Sequence, residues 1–373
     1  MMANPLVELK KYGQSPWYDN IERGMITSGK LQAMIDNDGL MGITSNPAIF
    51  EKAITGSMDY DESIEKLALE NRAALEIYET LAIEDIQLAA DAMQPVYRRS
   101  GGRDGFVSLE VSPLLADDTA GTIEEARRLW EDVHRENVMI KVPATKAGIP
   151  AVQTLISEGM NVNVTLMFSR SVYETVAGAY IAGLEILAEN GGDISTVNSV
   201  ASFFISRIDT LIDARLDEKL ASAERPRERT ELQSLKGSVA IANAKLTYQT
   251  YKLITAGARW QALAEKGART QRLLWASTST KNPDYSDVRY VEELIGSDTV
   301  NTLPHATMDA FRDHGRTRPT IEGGIGLAND TMNLLEAMGV SMEECTEQLV
   351  AEGVRLFAEP FHKLLEAIEK KKQ

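Results

Sequence analysis

Two hydrophobic periods alternate along the chain. Short runs with polar and apolar residues in alternation, or with β-branched and aromatic side chains in series, begin at 15 (SPWYDNI), 40 (LMGITSN), 105 (GFVSLEVS), 138 (VMIKV), 161 (NVNVTLMF), 197 (VNSVASFF), 272 (RLLWAS) and 299 (TVNTLP). Between most of them lie stretches such as EEARRLWEDVHREN and SVYETVAGAYIAGLEILAEN, whose apolar residues recur every three to four positions, the period of an amphipathic helix. Strands that alternate with helices pair in parallel, because the crossover helix returns the chain to the same end of the sheet. Eight such units predict an α/β fold, a closed (β/α)8 TIM barrel forming a single domain over residues 1–373.

Two connections are long enough to be helical insertions, one near 51–100 and one near 213–250. The second holds AERPRERTELQ (223–233), whose charges predict a solvated turn between helices. A C-terminal helical segment is expected over 328–373, where Val350, Val354, Phe357, Phe361, Leu364 and Ile368 mark one apolar face. Pro360 is expected to kink or divide it. That face suits either the mouth of the barrel or a subunit interface, which leaves homo-oligomerisation open.

The alternation inside the strands locates the chemistry. Ser108, Glu110 and Ser112 oppose Leu109 and Val111; Met139 and Lys141 oppose Val138, Ile140 and Val142; Asn161, Asn163 and Thr165 oppose Val162, Val164 and Leu166. In a parallel barrel the outward face packs on helices and must be apolar, so the polar face turns inward, where unpaired groups are costly. Barrel interiors are usually filled with Val, Ile and Leu. Polar residues converging there predict a site at the C-terminal ends of the strands.

Composition narrows the options. With 55 acidic and 39 basic residues, the net charge of −16 argues against a nucleic-acid partner. A single cysteine, Cys345, excludes an internal disulfide framework and reads as a small buried residue in a reducing compartment. The opening MMANPLVELKKYG lacks the apolar stretch of a signal peptide, and no apolar run is long enough to span a bilayer, so a cytoplasmic protein without a membrane partner is expected. His134, His305, His314 and His362 are scattered, and no metal site is expected. GGIGLAN near 323 lacks the register of a phosphate loop and reads as a turn.

Lys141 is the unusual member of the inward row. An ordinary ammonium has a pKa of about 10.4, so about one amine in 2,500 is free at pH 7. Bringing that value to about 7 takes roughly 4.6 kcal/mol of destabilisation of the charged form, which desolvation or a nearby cation supplies. A free amine facing a ketone forms a Schiff base, and the iminium then acts as an electron sink for carbon–carbon cleavage. A purely structural pair of Lys141 with Glu110 is the alternative on these residues alone.

GITSNPAIF (42–50) and IKVPATKAG (140–148) resemble the transaldolases, in the longer-chain form found in cyanobacteria and actinobacteria, and the likeness runs from WYDN near 17 through VNTLP at 300. The resemblance implies a cofactor-free enzyme of the pentose phosphate pathway that acts on small sugar phosphates. It implies that Lys141 forms the Schiff base, that Asp19 exchanges the proton of the fourth carbon's hydroxyl, and that Glu110 and Thr165 hold a water and relay protons. Asn46 and Asn163 match the residues that orient substrate hydroxyls. Ser202, Arg207 and Ser277 match the phosphate-binding segment. The shorter-chain pattern has an arginine two positions after that last serine; here Ser279 stands there, and Lys281 is the expected second cation. Phe204 replaces the tyrosine of related fructose 6-phosphate aldolases, which favours transfer over release of dihydroxyacetone. Such an aldolase, and a non-catalytic sugar-phosphate-binding barrel, are the alternatives.

Overall fold

The computed structural model describes residues 4–372; Met1 to Ala3 and Gln373, the ends of the expected single domain, lie outside the described residues. Eight strands, β1 (Gln14–Tyr18), β2 (Gly42–Thr44), β3 (Phe106–Glu110), β4 (Val138–Pro143), β5 (Val162–Met167), β6 (Ser199–Phe204), β7 (Arg272–Ala276) and β8 (Thr299–Leu303), close into a barrel in sequence order. Every neighbouring pair is parallel, β8 returning to β1, so each of the eight expected runs supplies one strand. The outward residues Val138, Ile140, Val142, Val162 and Val164 are fully buried beneath helices, and this burial holds the strands edge to edge.

The N-terminal end of the barrel is closed by a buried ion pair. Arg272 donates to Asp104 at 2.9 Å, to the Ser15 hydroxyl at 2.9 Å and to the Arg103 carbonyl at 2.7 Å, while Asp104 also accepts from the Trp17 indole at 3.2 Å. Trp17 lies flat against Gly42, where a Cβ would stand 2.4 Å from the ring, so only glycine fits at the start of β2. At the other end β5 departs from regular pairing between Val164 and Met167, and Leu166 adopts φ 58°.

The insertions are helical, including Pro47–Gly56, Asp61–Leu69 and Ala74–Arg99 in the first, and Ser206–Ser222, Pro226–Leu235 and Val239–Ala256 around the second. Three local expectations are corrected. The charged stretch at 223–233 is mostly helix rather than turn, because Pro226 starts a helix whose first turns pair Arg225 with Glu228 and Arg227 with Glu231. Only Gly323 and Gly324 of GGIGLAN form a turn; Gly324, at φ 72°, opens the helix Ile325–Ala337. Pro360 does not divide the C-terminal helix, which runs unbroken over Met342–Lys371. The hydrogen bond it forfeits is to Leu356, on the exposed side, while Phe357, Phe361, Leu364 and Ile368 anchor both halves.

The C-terminal helix packs on Pro47–Gly56 and Ala74–Arg99 and reaches β5, which places it over the barrel mouth. Phe361 stands edge-on to Tyr78 with ring centroids 5.5 Å apart, and Lys371 donates to the Ile54 carbonyl at 3.1 Å and to Asp61 at 2.6 Å. No helix of the described residues is long and apolar enough to cross a membrane.

A carboxylate cluster ties the β7–β8 connection to the helix Ser206–Ser222. Asp209 accepts from the Ala240 amide at 2.8 Å and from the Tyr290 hydroxyl at 2.8 Å; Asp213 accepts from the Gly237 amide at 2.9 Å and from the Tyr285 hydroxyl at 2.6 Å. Burial nonetheless pushes Asp209 up to about 6. A carboxyl raised on folding stabilises most while protonated, so this contribution is present below pH 4 and is lost as pH rises through about 6. The contribution amounts to about 3 kcal/mol. Asp209→Asn is expected to flatten that segment of the stability curve in denaturant unfolding measured from pH 4 to 7.

Candidate active site

The inward residues of β3, β4 and β5 stand level because the parallel register pairs Glu110 with Lys141, and Lys141 with Asn163. Lys141 is 4% exposed. Its Nζ donates to the Ser45 carbonyl at 3.0 Å and lies 3.1 Å from Glu110 Oε2, an ion pair without hydrogen-bond alignment. Ser45 is itself fixed by donating its hydroxyl to the Ser108 carbonyl at 2.7 Å.

Asp19 leaves β1 at the same end. Thr44 of β2 donates to Asp19 Oδ1 at 2.7 Å and shares a second 2.7 Å hydrogen bond with the Thr302 hydroxyl of β8. Burial raises Asp19 above the ordinary carboxyl range, against the lowering effects of Lys141 and the Thr44 hydrogen bond. Glu110 is raised for the same reason, again opposed by Lys141. Two carboxyls raised in this way hold a proton more readily than ordinary carboxyls do. The Thr165 hydroxyl, fully buried, has no hydrogen-bond partner among the described residues, and neither has Glu110 Oε2.

These groups meet at a cavity of about 320 Å3 lined by Asp19, Asn46, Lys141, Thr165, Ser202 and Phe204, and continuing to Arg207, Ser277 and Lys281. Nine of the eleven expected site residues therefore share one space. Asn46 caps the helix Pro47–Gly56, its side-chain oxygen accepting from the Ile49 amide at 3.1 Å, and lines the cavity from there. Asn163 lies beneath the lining: its amide donates to the Ser108 hydroxyl at 3.0 Å and accepts from Ser202 at 2.6 Å. Ser202 thus belongs to a hydrogen-bonded row across the barrel, with its proton committed to Asn163. Glu110 borders a second, largely apolar cavity of about 240 Å3 beside Tyr78 and Phe361, and meets the first through Lys141.

At the far end, Arg207 lies in the first turn of the helix after β6, and its buried Nη1 has no hydrogen-bond partner among the described residues. Burial holds its pKa below the usual value. Lys281 sits at the exposed rim and donates to the Ser279 hydroxyl at 2.8 Å; partial burial and then the charges of Arg207 and Lys52 hold its ammonium below the ordinary range. Ser277, at φ 55°, shares a 2.9 Å hydrogen bond with the Ser206 hydroxyl and accepts the Ser206 amide at 3.0 Å. Mutually repelling cations beside a guanidinium nitrogen without a partner among the described residues are electrostatically suited to an anion.

Lys52 and Phe357 also line the cavity and were not among the expected site residues. Lys52 follows Asn46 and Ile49 at three-residue steps, a helical phase present in the sequence once Pro47 is taken as a helix start. Phe357 is visible there only as a member of an apolar stripe. Among the described residues, no group of His, Cys, Asp and Glu is arranged to hold a metal ion.

A parallel eight-stranded barrel with a buried lysine between two carboxyls and a cationic far end has the architecture of enzymes that bind phosphorylated carbonyl compounds through an amine. The model of the family described as "Transaldolase/Fructose-6-phosphate aldolase" matches residues 16–368, and the chain belongs to that family. It is 50% identical to "Transaldolase" of Trichodesmium erythraeum (strain IMS101) over 373 residues, which covers 100% of this chain and 98% of the relative. It is likewise 50% identical to "Transaldolase 2" of Nostoc sp. (strain PCC 7120) and 44% identical to "Transaldolase" of Thermobifida fusca (strain YX), in each case over 98% of the relative and 100% and 98% of this chain respectively.

Lys141 and Glu110 should depend on each other energetically. Lys141→Met strands a buried carboxylate and is expected to cost about 3–5 kcal/mol of stability at pH 8. The loss should shrink toward pH 5, because Glu110, raised further without its partner, takes up a proton. Adding Glu110→Gln to Lys141→Met should recover most of the loss, which urea unfolding of the two single variants and the double variant measures.

Proposed function

We propose that this chain is a transaldolase that moves a dihydroxyacetone unit from sedoheptulose 7-phosphate to glyceraldehyde 3-phosphate, giving erythrose 4-phosphate and fructose 6-phosphate. One observation carries the reading: the Lys141 amine, Asp19 and Arg207 share a single cavity in which Lys141 is shielded from water. Membership of the family and the names of the relatives support it.

Lys141 Nζ adds to the ketone, and water leaves as the iminium forms, with Glu110 and Thr165 handling the protons. Asp19 takes the proton of the fourth carbon's hydroxyl; the bond between the third and fourth carbons breaks, and its electrons pass to the iminium to give an enamine. The aldose departs. The enamine carbon then attacks the incoming aldehyde, whose oxygen recovers the proton from Asp19, and hydrolysis frees Lys141. Asn46 orients hydroxyls directly, and Asn163 does so from beneath, held by Ser108 and Ser202. Arg207, with Lys281 and Lys52, receives the phosphate, and Ser277 supplies a hydroxyl to the same end. The reaction belongs to the non-oxidative pentose phosphate pathway and takes place in the cytoplasm.

Simple cleavage with release of dihydroxyacetone is the second activity in the family's name. Phe204, which lines the cavity without a hydroxyl to hold a water, favours transfer.

Borohydride treatment with fructose 6-phosphate is expected to leave a reduced three-carbon adduct on Lys141, located by peptide mass measurement. Lys141→Ala, assayed where thermal melting verifies a folded chain, should give neither adduct nor transfer. An adduct elsewhere, or an active Lys141→Ala enzyme, refutes the assignment. Rapid catalytic appearance of dihydroxyacetone without an acceptor aldehyde would favour the aldolase.

A further inference from the structure

We propose that Phe357, carried by the C-terminal helix, decides whether the three-carbon unit on Lys141 is transferred or lost to water; the inference rests on the Schiff-base reading above. Phe357 is 5% exposed and lines the cavity. Its ring centre lies 5.6 Å from Lys141 Nζ and 5.9 Å from Arg207 Cζ. The ring therefore faces both the amine that holds the carbonyl carbon and the guanidinium that faces the phosphate, and a phosphoketose joined to both must pass beside it. Phe204 packs on the same guanidinium, 5.1 Å from Cζ. Neither ring can donate or accept a hydrogen bond at its edge, so a water beside the enamine carbon would forfeit bonds on that side.

The position of the ring is set by contacts outside the chemistry. One turn earlier, Gly353 presses on Leu166, and a Cβ there would stand 2.8 Å from Leu166 Cδ2. Leu166 directly follows Thr165, so the contact fixes the helix against the strand that carries Thr165. Arg215 donates to Gln348 at 2.6 Å near one end of the helix, and Lys371 pairs with Asp61 at the other.

Release and transfer diverge at one carbon. For release, the enamine carbon takes a proton from water and becomes an iminium; water oxygen adds to the imine carbon, the carbon–nitrogen bond breaks with its electron pair returning to Nζ, and dihydroxyacetone leaves, with one water consumed in all. For transfer, the same enamine carbon bonds to the aldehyde carbon, whose oxygen takes the proton. Excluding water at that carbon slows only the first route.

The test compares the wild type with Phe357→Leu and Phe357→Ala, using fructose 6-phosphate as donor and erythrose 4-phosphate as acceptor. Free dihydroxyacetone is measured against sedoheptulose 7-phosphate formed, and thermal melting and the borohydride adduct verify a folded, loaded site. The ratio of release to transfer is expected to rise at least about tenfold in Phe357→Ala and by a smaller factor in Phe357→Leu, which keeps an apolar cover. A wild-type ratio in the folded variants, even with both rates reduced, overturns the inference and leaves the transaldolase reading standing. If the wild type forms no lysine adduct, that reading fails and the inference falls with it.

Discussion

The structure turns on one constraint: an amine must be kept inside a closed ring of strands without water. An isolated ammonium in such a place is expensive, and an unpaired carboxylate equally so. The barrel answers with neighbours in register. Glu110 and Lys141 are cross-strand partners on β3 and β4, and the Ser45 carbonyl at the end of β2 takes a hydrogen bond from the same nitrogen. Glu110 and Lys141 are held by backbone pairing and Ser45 by its hydroxyl on the Ser108 carbonyl, so the arrangement is in place before a substrate arrives. The raised carboxyls of Asp19 and Glu110 follow from the same burial, which links the dryness of the site to its capacity for proton exchange.

The cavity is graded along its length. The lysine end is built mainly from strand residues, with Ser108, Asn163 and Ser202 joined in one hydrogen-bonded row and Thr44 holding Asp19 and Thr302 beside it. The other end is built from a helix start and a loop: Arg207 on one, Lys281 on the other. That loop is tethered to the helix of Arg207 through Tyr285 on Asp213 and Tyr290 on Asp209, so the two cations are coupled although 74 positions separate them in sequence. Over both ends lies the C-terminal helix, whose aromatic face continues from Phe357 at the cavity to Phe361 against Tyr78. One helix thereby touches the Lys141 side, the Arg207 side and the second cavity behind Glu110.

The eight strands and the inward direction of Lys141, Glu110 and Thr165 are legible in the chain because a period of two and the apolar demand of the outer face are local properties, read within a few residues. The same holds for the apolar stripe of the C-terminal segment. The local rules failed where tertiary packing opposed them. Pro360 and the charged stretch at 223–233 carry signals for a break and a turn, yet both lie in helices, since burial of a few residues such as Phe357 and Leu364, or Leu232 and Leu235, outweighs one lost hydrogen bond or a run of solvated charge.

By itself the sequence determined the strand order, the parallel barrel, and which side chains face inward, since these follow from periodicity and from crossover geometry. Only the tertiary structure decided that the C-terminal helix lies across the mouth, that Phe357 faces both Lys141 and Arg207, that Lys52 joins the cationic end, and that Asn163 lies beneath the cavity rather than at its wall. The reason is physical: these are contacts between segments distant in the chain, fixed by packing and register across elements, and no local pattern records the distance between two residues that meet only when the barrel closes.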